Sequence, residues 1–169
     1  MITVAQLGHR LLDGPYRWGT TTRGRGRYGA RSIHLRILPP DSTRNDRRVA
    51  RAARLWPGIG AALIALKLGV AHVSPAISYL VALVVGTAVA TGAGLLLRNR
   101  SAAVRARTVE LIGWVSLLAP RTADSERYEV VDRFAGELHT AERDLEDGEL
   151  AWPEYQHVWG DVYARARAV

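Results

Sequence analysis

From Ala76 to Leu97 the chain runs for 22 residues without a charged side chain. At 1.5 Å per residue such a helix is about 33 Å long, against a hydrocarbon core of about 30 Å. The segment predicts a transmembrane helix. The stretch before it, Trp56 to Val73, is apolar except for Lys67 and His72 and predicts a first span near the lower length limit. Between the two, His72-Val73-Ser74-Pro75 supplies a turn, with Ser74 as N-cap and Pro75 as first helical residue. So short a connection makes the helices antiparallel neighbours. The apolar run begins past residue 50, which argues against a cleavable secretory signal.

Charge brackets this block. The net charge is +7, but residues 1–56 hold 12 Arg against 3 Asp, and residues 108–169 hold 6 Arg against 13 acidic residues. Arg44, Arg47, Arg48, Arg51 and Arg54 precede the first apolar helix, and Arg98, Arg100, Arg105 and Arg107 follow the second. Positive-inside bias then places the chain in the inner (plasma) membrane with both termini cytoplasmic. Arg47, Arg48, Arg51, Arg54, Arg98 and Arg100 are the expected contacts to lipid headgroups. Lys67 is the single lysine, so the Arg bias reads as a GC-rich coding genome. It lies about 9 Å from the outer helix end, close enough for its stem to snorkel outward rather than carry an ion or proton.

Helices pack in lipid through small residues that let backbones approach. Ala61, Ala65 and Gly69 recur every fourth residue on the first helix, and Ala82, Gly86, Ala90 and Gly94 on the second. Mating these stripes is the expected hairpin contact. Thr87 and Thr91 either bond back to their own helix carbonyls or reach across to a partner.

The flanks predict a small folded region. Ile33, Leu35 and Ile37 alternate with Ser32, His34 and Arg36, a half-buried strand closed by Pro39-Pro40. The glycines between Gly24 and Gly29 turn it back to a strand near Tyr16 to Thr22. Asp41 or Ser42 caps a basic helix from Thr43 to Arg54, with Pro57 as a kink. Thr108 to Ala119 is too short to span as a helix and is either an interfacial helix or a third strand; its branched and aromatic content favours the strand. In the tail, Asp124 or Ser125 caps a helix with Tyr128, Val131, Phe134, Leu138, Ala141 and Leu145 on one face. Asp147-Gly148 breaks it, and Pro153 starts a second helix with Tyr155, Val158, Trp159 and Val162 inward.

Chemistry is thinly marked. The chain has no cysteine, which removes disulfides, thiolate metal sites and cysteine nucleophiles. His9, His34, His72, His139 and His157 show no metal-site spacing, and His139 with Glu142 and Arg143 reads as a solvated helix surface. Gly24, Gly26 and Gly29 match no phosphate loop. Arg23, Arg25 and Arg27 beside Tyr28 offer weak nucleic-acid chemistry, with lipid phosphate the nearer partner, so nucleic acid is disfavoured.

The order Leu12-Asp13-Gly14, Trp18-Gly19, a Pro-ended strand, an Arg-rich helix into Trp56-Pro57-Gly58, and a tail of Gly148-Glu149, Glu154-Tyr155, Trp159 and Tyr163 resembles a family of uncharacterised actinobacterial two-helix membrane proteins. The tail is also similar to short helical-hairpin modules, which suggests oligomerisation or docking. The resemblance implies no activity and no catalytic residues.

The fold expected is an α+β membrane protein: a two-helix transmembrane hairpin, a small antiparallel β-sheet and a C-terminal helical hairpin on the cytoplasmic side. Its parts are an N-terminal β-hairpin region (1–40), a basic helix (41–55), the hairpin (56–97, with helices 56–73 and 76–97), a basic linker with a third strand or interfacial segment (98–120), and an acidic helical hairpin (121–169). The function expected is a non-enzymatic accessory or adaptor protein with a cytoplasmic interaction module, without cofactor or metal. Its partners would be membrane lipids and either itself or another membrane protein. The alternative is an oligomeric pore or small transporter component.

Overall fold

A computed structural model describes residues 14–71, 77–116 and 123–169, and the side-chain surroundings of all of these except 28, 66–71 and 77–82. In chain order the elements are β1 (Gly19–Arg25), a 3-10 turn (Arg27–Gly29), β2 (Arg31–Ile37), α1 (Arg44–Ala71), α2 (Ile77–Arg100), α3 (Ala102–Arg107), β3 (Val109–Val115), α4 (Ala123–Asp147) and α5 (Trp152–Arg167). They fall into two compact units. Met1–Ser42 with Ala106–Val169 form the first, and Thr43–Arg105 form the second.

The first unit is α+β, a three-stranded antiparallel sheet in the order β1-β2-β3 with α4 and α5. Period-two alternation decides which face is buried. Ile33, Leu35 and Ile37 are buried, and their partners across β3 are Gly113, Leu111 and Val109. The opposite face carries Ser32, His34 and Arg36 beside Trp114, Ile112 and Glu110, with Arg36 and Glu110 paired directly across the strands at 3.1 Å. The segment from Thr108 is thus a strand.

α4 lays Val131, Phe134, Ala135, Leu138 and Ala141 into the core, and α5 adds Tyr155, Trp159, Val162 and Ala166. Helical spacing puts each set on one stripe. α4 ends at Asp147, where the amides of Glu149 and Leu150 both donate to the Asp144 carbonyl. Pro153 follows Ala151 at the start of α5, and Glu154 accepts the Ala151 amide.

Two glycines are required by close approach. A Cβ on Gly19 would lie 1.9 Å from the Arg36 carbonyl oxygen, and its φ of +152° is one that L side chains avoid. A Cβ on Gly113 would lie 2.7 Å from the Tyr128 Cα, so the bare backbone of β3 is what lets α4 seat on the sheet.

The second unit is a pair of packed helices, α1 and α2, followed by α3. The basic segment and the first apolar segment are one continuous helix, Arg44–Ala71, with Pro57 inside it. Its cap is Thr43, one or two residues beyond the expected positions. Thr43 Oγ1 accepts the Asp46 amide while the Asp46 carboxylate accepts the Thr43 amide and hydroxyl, a reciprocal capping box. Ser42 instead donates to the Pro39 carbonyl, and Asp41 pairs with Arg107.

The membrane architecture is corrected here. Among the described residues no helix is long and apolar enough to cross a membrane. In α1 the apolar residues share their rod with Arg44, Arg47, Arg48, Arg51 and Arg54. In α2 the glycines and threonines at 86, 87, 91, 92 and 94 dilute the apolar residues, and Arg98-Asn99-Arg100 ends the helix. The transmembrane hairpin, the multi-pass inner-membrane location with cytoplasmic termini and the lipid-spanning role have no support among the described residues. The expected turn at 72–75 and the side chain of Lys67 lie outside them.

Replacing Gly113 with alanine pushes a methyl into the α4 backbone. The expected loss is about 1–3 kcal/mol, the usual cost of overpacking. Urea denaturation of the full chain measures it, and a midpoint equal to wild type would contradict the seating described.

Candidate functional site

The helix pair of the second unit holds an open cleft. Trp56 sits against α2, with its indole N–H donating to the Ala90 carbonyl at 2.9 Å. Gly94 makes room for that ring, since a Cβ there would fall 2.6 Å from Trp56 Cδ1. Beside the indole opens a cleft of about 550 Å³. Its walls are Trp56, Pro57, Ile64 and Leu95; Gly60, Ala61, Ala90 and Gly94 set its width, and Thr87 and Thr91 lie along it. Arg54, Arg98 and Arg105 also line it, and among the described residues no acidic side chain does.

Of the small residues expected to mate, Ala61, Ala90 and Gly94 meet around this cleft. Gly86 and Ala90 line a second, much smaller cavity with Leu63 and Ile64. Ala65 is exposed, and the surroundings of Gly69 and Ala82 lie outside the description. Both threonines bond back along their own helix: Thr87 to the Leu83 carbonyl at 2.8 Å and Thr91 to the Thr87 carbonyl at 2.9 Å. Of the arginines assigned to headgroups, Arg54 and Arg98 border the cleft, Arg100 is exposed nearby in sequence, and none of Arg47, Arg48 and Arg51 is free of interaction. Their lipid role presupposed the spanning hairpin.

The first unit carries a buried carboxylate that sequence reasoning missed. Glu142 is 4% exposed. It accepts the Arg17 amide and the Arg17 guanidinium, each at 3.3 Å, and the Tyr155 hydroxyl. One helical turn earlier, His139 bonds the Ala135 carbonyl through Nδ1 and stands edge-on to Tyr16 and Trp18, which are stacked on each other. These residues face the N-terminal segment, not solvent. Leu38 completes the junction: its amide donates to the Trp18 carbonyl and its carbonyl accepts the Trp159 indole N–H. The signal was available, because Glu142 falls four residues after Leu138 and eight after Phe134, on the apolar stripe.

The one hydroxyl that the cluster sets beside a carboxylate, Tyr155 against Glu142, is buried in the core. Among the described residues no group of three or more His, Cys, Asp or Glu is placed to hold a metal ion. His34 and His157 are exposed on separate elements; the placement of His9 and His72 lies outside the described residues. Arg23 pairs with Asp132 at 2.9 Å, while Arg25 and Arg27 are exposed at the β1–β2 turn.

The carboxylate's partners grade its contribution. Glu142→Ala leaves the buried Tyr155 hydroxyl and the Arg17 amide unsatisfied and is expected to cost about 2–3 kcal/mol. Arg17→Ala removes a half-exposed partner and is expected to cost at most about 1 kcal/mol. Thermal unfolding of the two variants checks the order, and equal losses would contradict it.

Searches of curated proteins and of solved structures find no match for this chain. A family of unknown function, DUF6611, matches residues 3–169. The sheet, the tail hairpin and the helix pair all fall within that match, and the chain belongs to the DUF6611 family.

Proposed function

We propose that the chain is a non-enzymatic interaction protein that self-associates through its helix pair. One observation carries this reading: the large apolar side chains of α1 and α2 stay uncovered after the two helices pack. Leu55, Ile59 and Leu63 form a ridge at four-residue spacing on α1 and are each more than two-fifths exposed. Val85, Val89 and Leu96 share a face of α2 and are each more than half exposed. Each row is an exposed apolar stripe on its own helix, and apolar surface of this kind marks an interaction site.

Magnitudes support a second copy as the partner. Burying the exposed half of a Leu, Ile or Val side chain contributes roughly 1 kcal/mol. A symmetric interface uses each side chain twice, so one such three-residue row supplies on the order of 6 kcal/mol. That matches the scale of the freedom lost on association, about 4–15 kcal/mol. A chain offering only scattered exposed residues would not reach it.

Light scattering on the full chain is expected to give a dimer or higher multiple at micromolar concentration. Ile59→Lys and Val89→Lys, both at exposed positions, are expected to weaken association about a hundredfold while leaving the helical circular dichroism unchanged. A wild-type chain that stays monomeric throughout that range would overturn the reading.

A further inference from the structure

The cleft of the helix pair is polarised along its length, beyond what self-association requires. On α1 it runs from Arg54 to Ile64, and on α2 from Arg98 back to Thr87. Ten residues of helix make it about 15 Å long. Arg54, Arg98 and Arg105 cluster toward one end. Among the described residues neither Arg54 nor Arg98 has an acidic partner, and Arg105 gives one guanidinium N–H to the Arg98 carbonyl at 3.2 Å while its Nε, buried, has none.

The other end has the opposite chemistry. Thr87 and Thr91 direct their hydroxyl protons to carbonyls of their own helix, so they offer the cleft little beyond their methyl-bearing faces. Trp56 is likewise committed to Ala90. What remains between is the ring face, Pro57, Ile64 and Leu95, around a floor of glycine and alanine. The volume, about 550 Å³, falls in the range of small-molecule sites.

We propose that this cleft binds a single-chain amphiphile with an anionic head, a carboxylate or a phosphate, on a medium-length alkyl chain. Guanidinium groups recognise both heads through paired N–H donors. The alkyl chain lies along Trp56, Pro57 and Leu95 toward Ile64, where no polar partner competes for the space. A cationic head of the same length meets three like charges at the arginine end. An uncharged head forgoes their hydrogen bonds.

Gly60 gives a way to close the cleft. It lines the cavity, and a Cβ built there meets no atom within 4 Å, so Gly60→Leu fills the space without a clash at Cβ. Isothermal titration of the full chain, below the micellar range, with dodecanoate, dodecyl phosphate and dodecyltrimethylammonium provides the test. One or both anions are expected to bind, the tighter of the two naming the head, and the ammonium to bind at least about tenfold more weakly. Gly60→Leu is expected to abolish binding, and Arg54→Gln with Arg98→Gln to weaken it about tenfold or more. The arginine variants keep the test decisive if Gly60→Leu does not fold. Equal binding of the ammonium, unchanged binding in the double arginine variant, or no binding of either anion would overturn the site. Light scattering on the ligand-free chain tests the self-association reading separately, so a failure of either reading is told apart from a failure of the other.

Discussion

The pairing of β2 with β3 is the constraint on which the first unit depends. Ile37 sits opposite Val109, yet the whole second unit lies between them in the chain. Closing so long a connection costs conformational entropy that local contacts do not repay. The structure offsets it where the chain leaves and returns. Arg107 pairs with Asp41 and offers its carbonyl to the Tyr163 hydroxyl, so departure, return and the last helix meet at one residue. Trp159 adds a buried tie to the Leu38 carbonyl from the same helix. α5 therefore serves less as an appendage of the tail than as the lock on the long connection between β2 and β3.

The elements legible in the sequence are those with a strong period. Ile33, Leu35 and Ile37 announced β2 by alternation, and the Phe134–Leu138–Ala141 stripe announced α4. β3 could be told from an interfacial helix only by its branched and aromatic content, and Gly113 gave no hint that a helix backbone would press against it. What escaped was anything set by tertiary partners. Glu142 and His139 look like a solvated pair on a charged helix until Arg17, Tyr16 and Trp18 are brought over them from more than a hundred residues away. The cap of α1 slid to Thr43 because Ser42 and Asp41 had better bonds elsewhere, to Pro39 and Arg107.

The apolar block was misread for a related reason. A membrane span requires about 20 consecutive, predominantly apolar residues in one helix, and among the described residues no helix is long and apolar enough. The arginines at 44–54 take up the first part of the α1 rod, and small and hydroxylated residues between Gly86 and Gly94 interrupt the large apolar side chains of α2. The small-residue pattern was read as a dry seam. Instead, part of it encloses space: Gly94 is filled by the Trp56 ring, but Gly60, Ala61 and Ala90 border an open cleft.

That arrangement explains why the helix pair presents both features at once. A two-helix layer has too little interior to bury long side chains, so small residues near the contact leave the large ones, Ile59, Val85 and Val89 among them, pointing outward. The outward residues then call for a surface to cover them, and the small ones leave a slot that a slender ligand can enter. The two are coupled through Ile64 and Leu95, which line the cleft and are themselves more than a third exposed. A chain lying in the slot would extend the apolar surface beside both, so occupancy of the cleft and association of two copies would draw on adjoining surface and need not be independent.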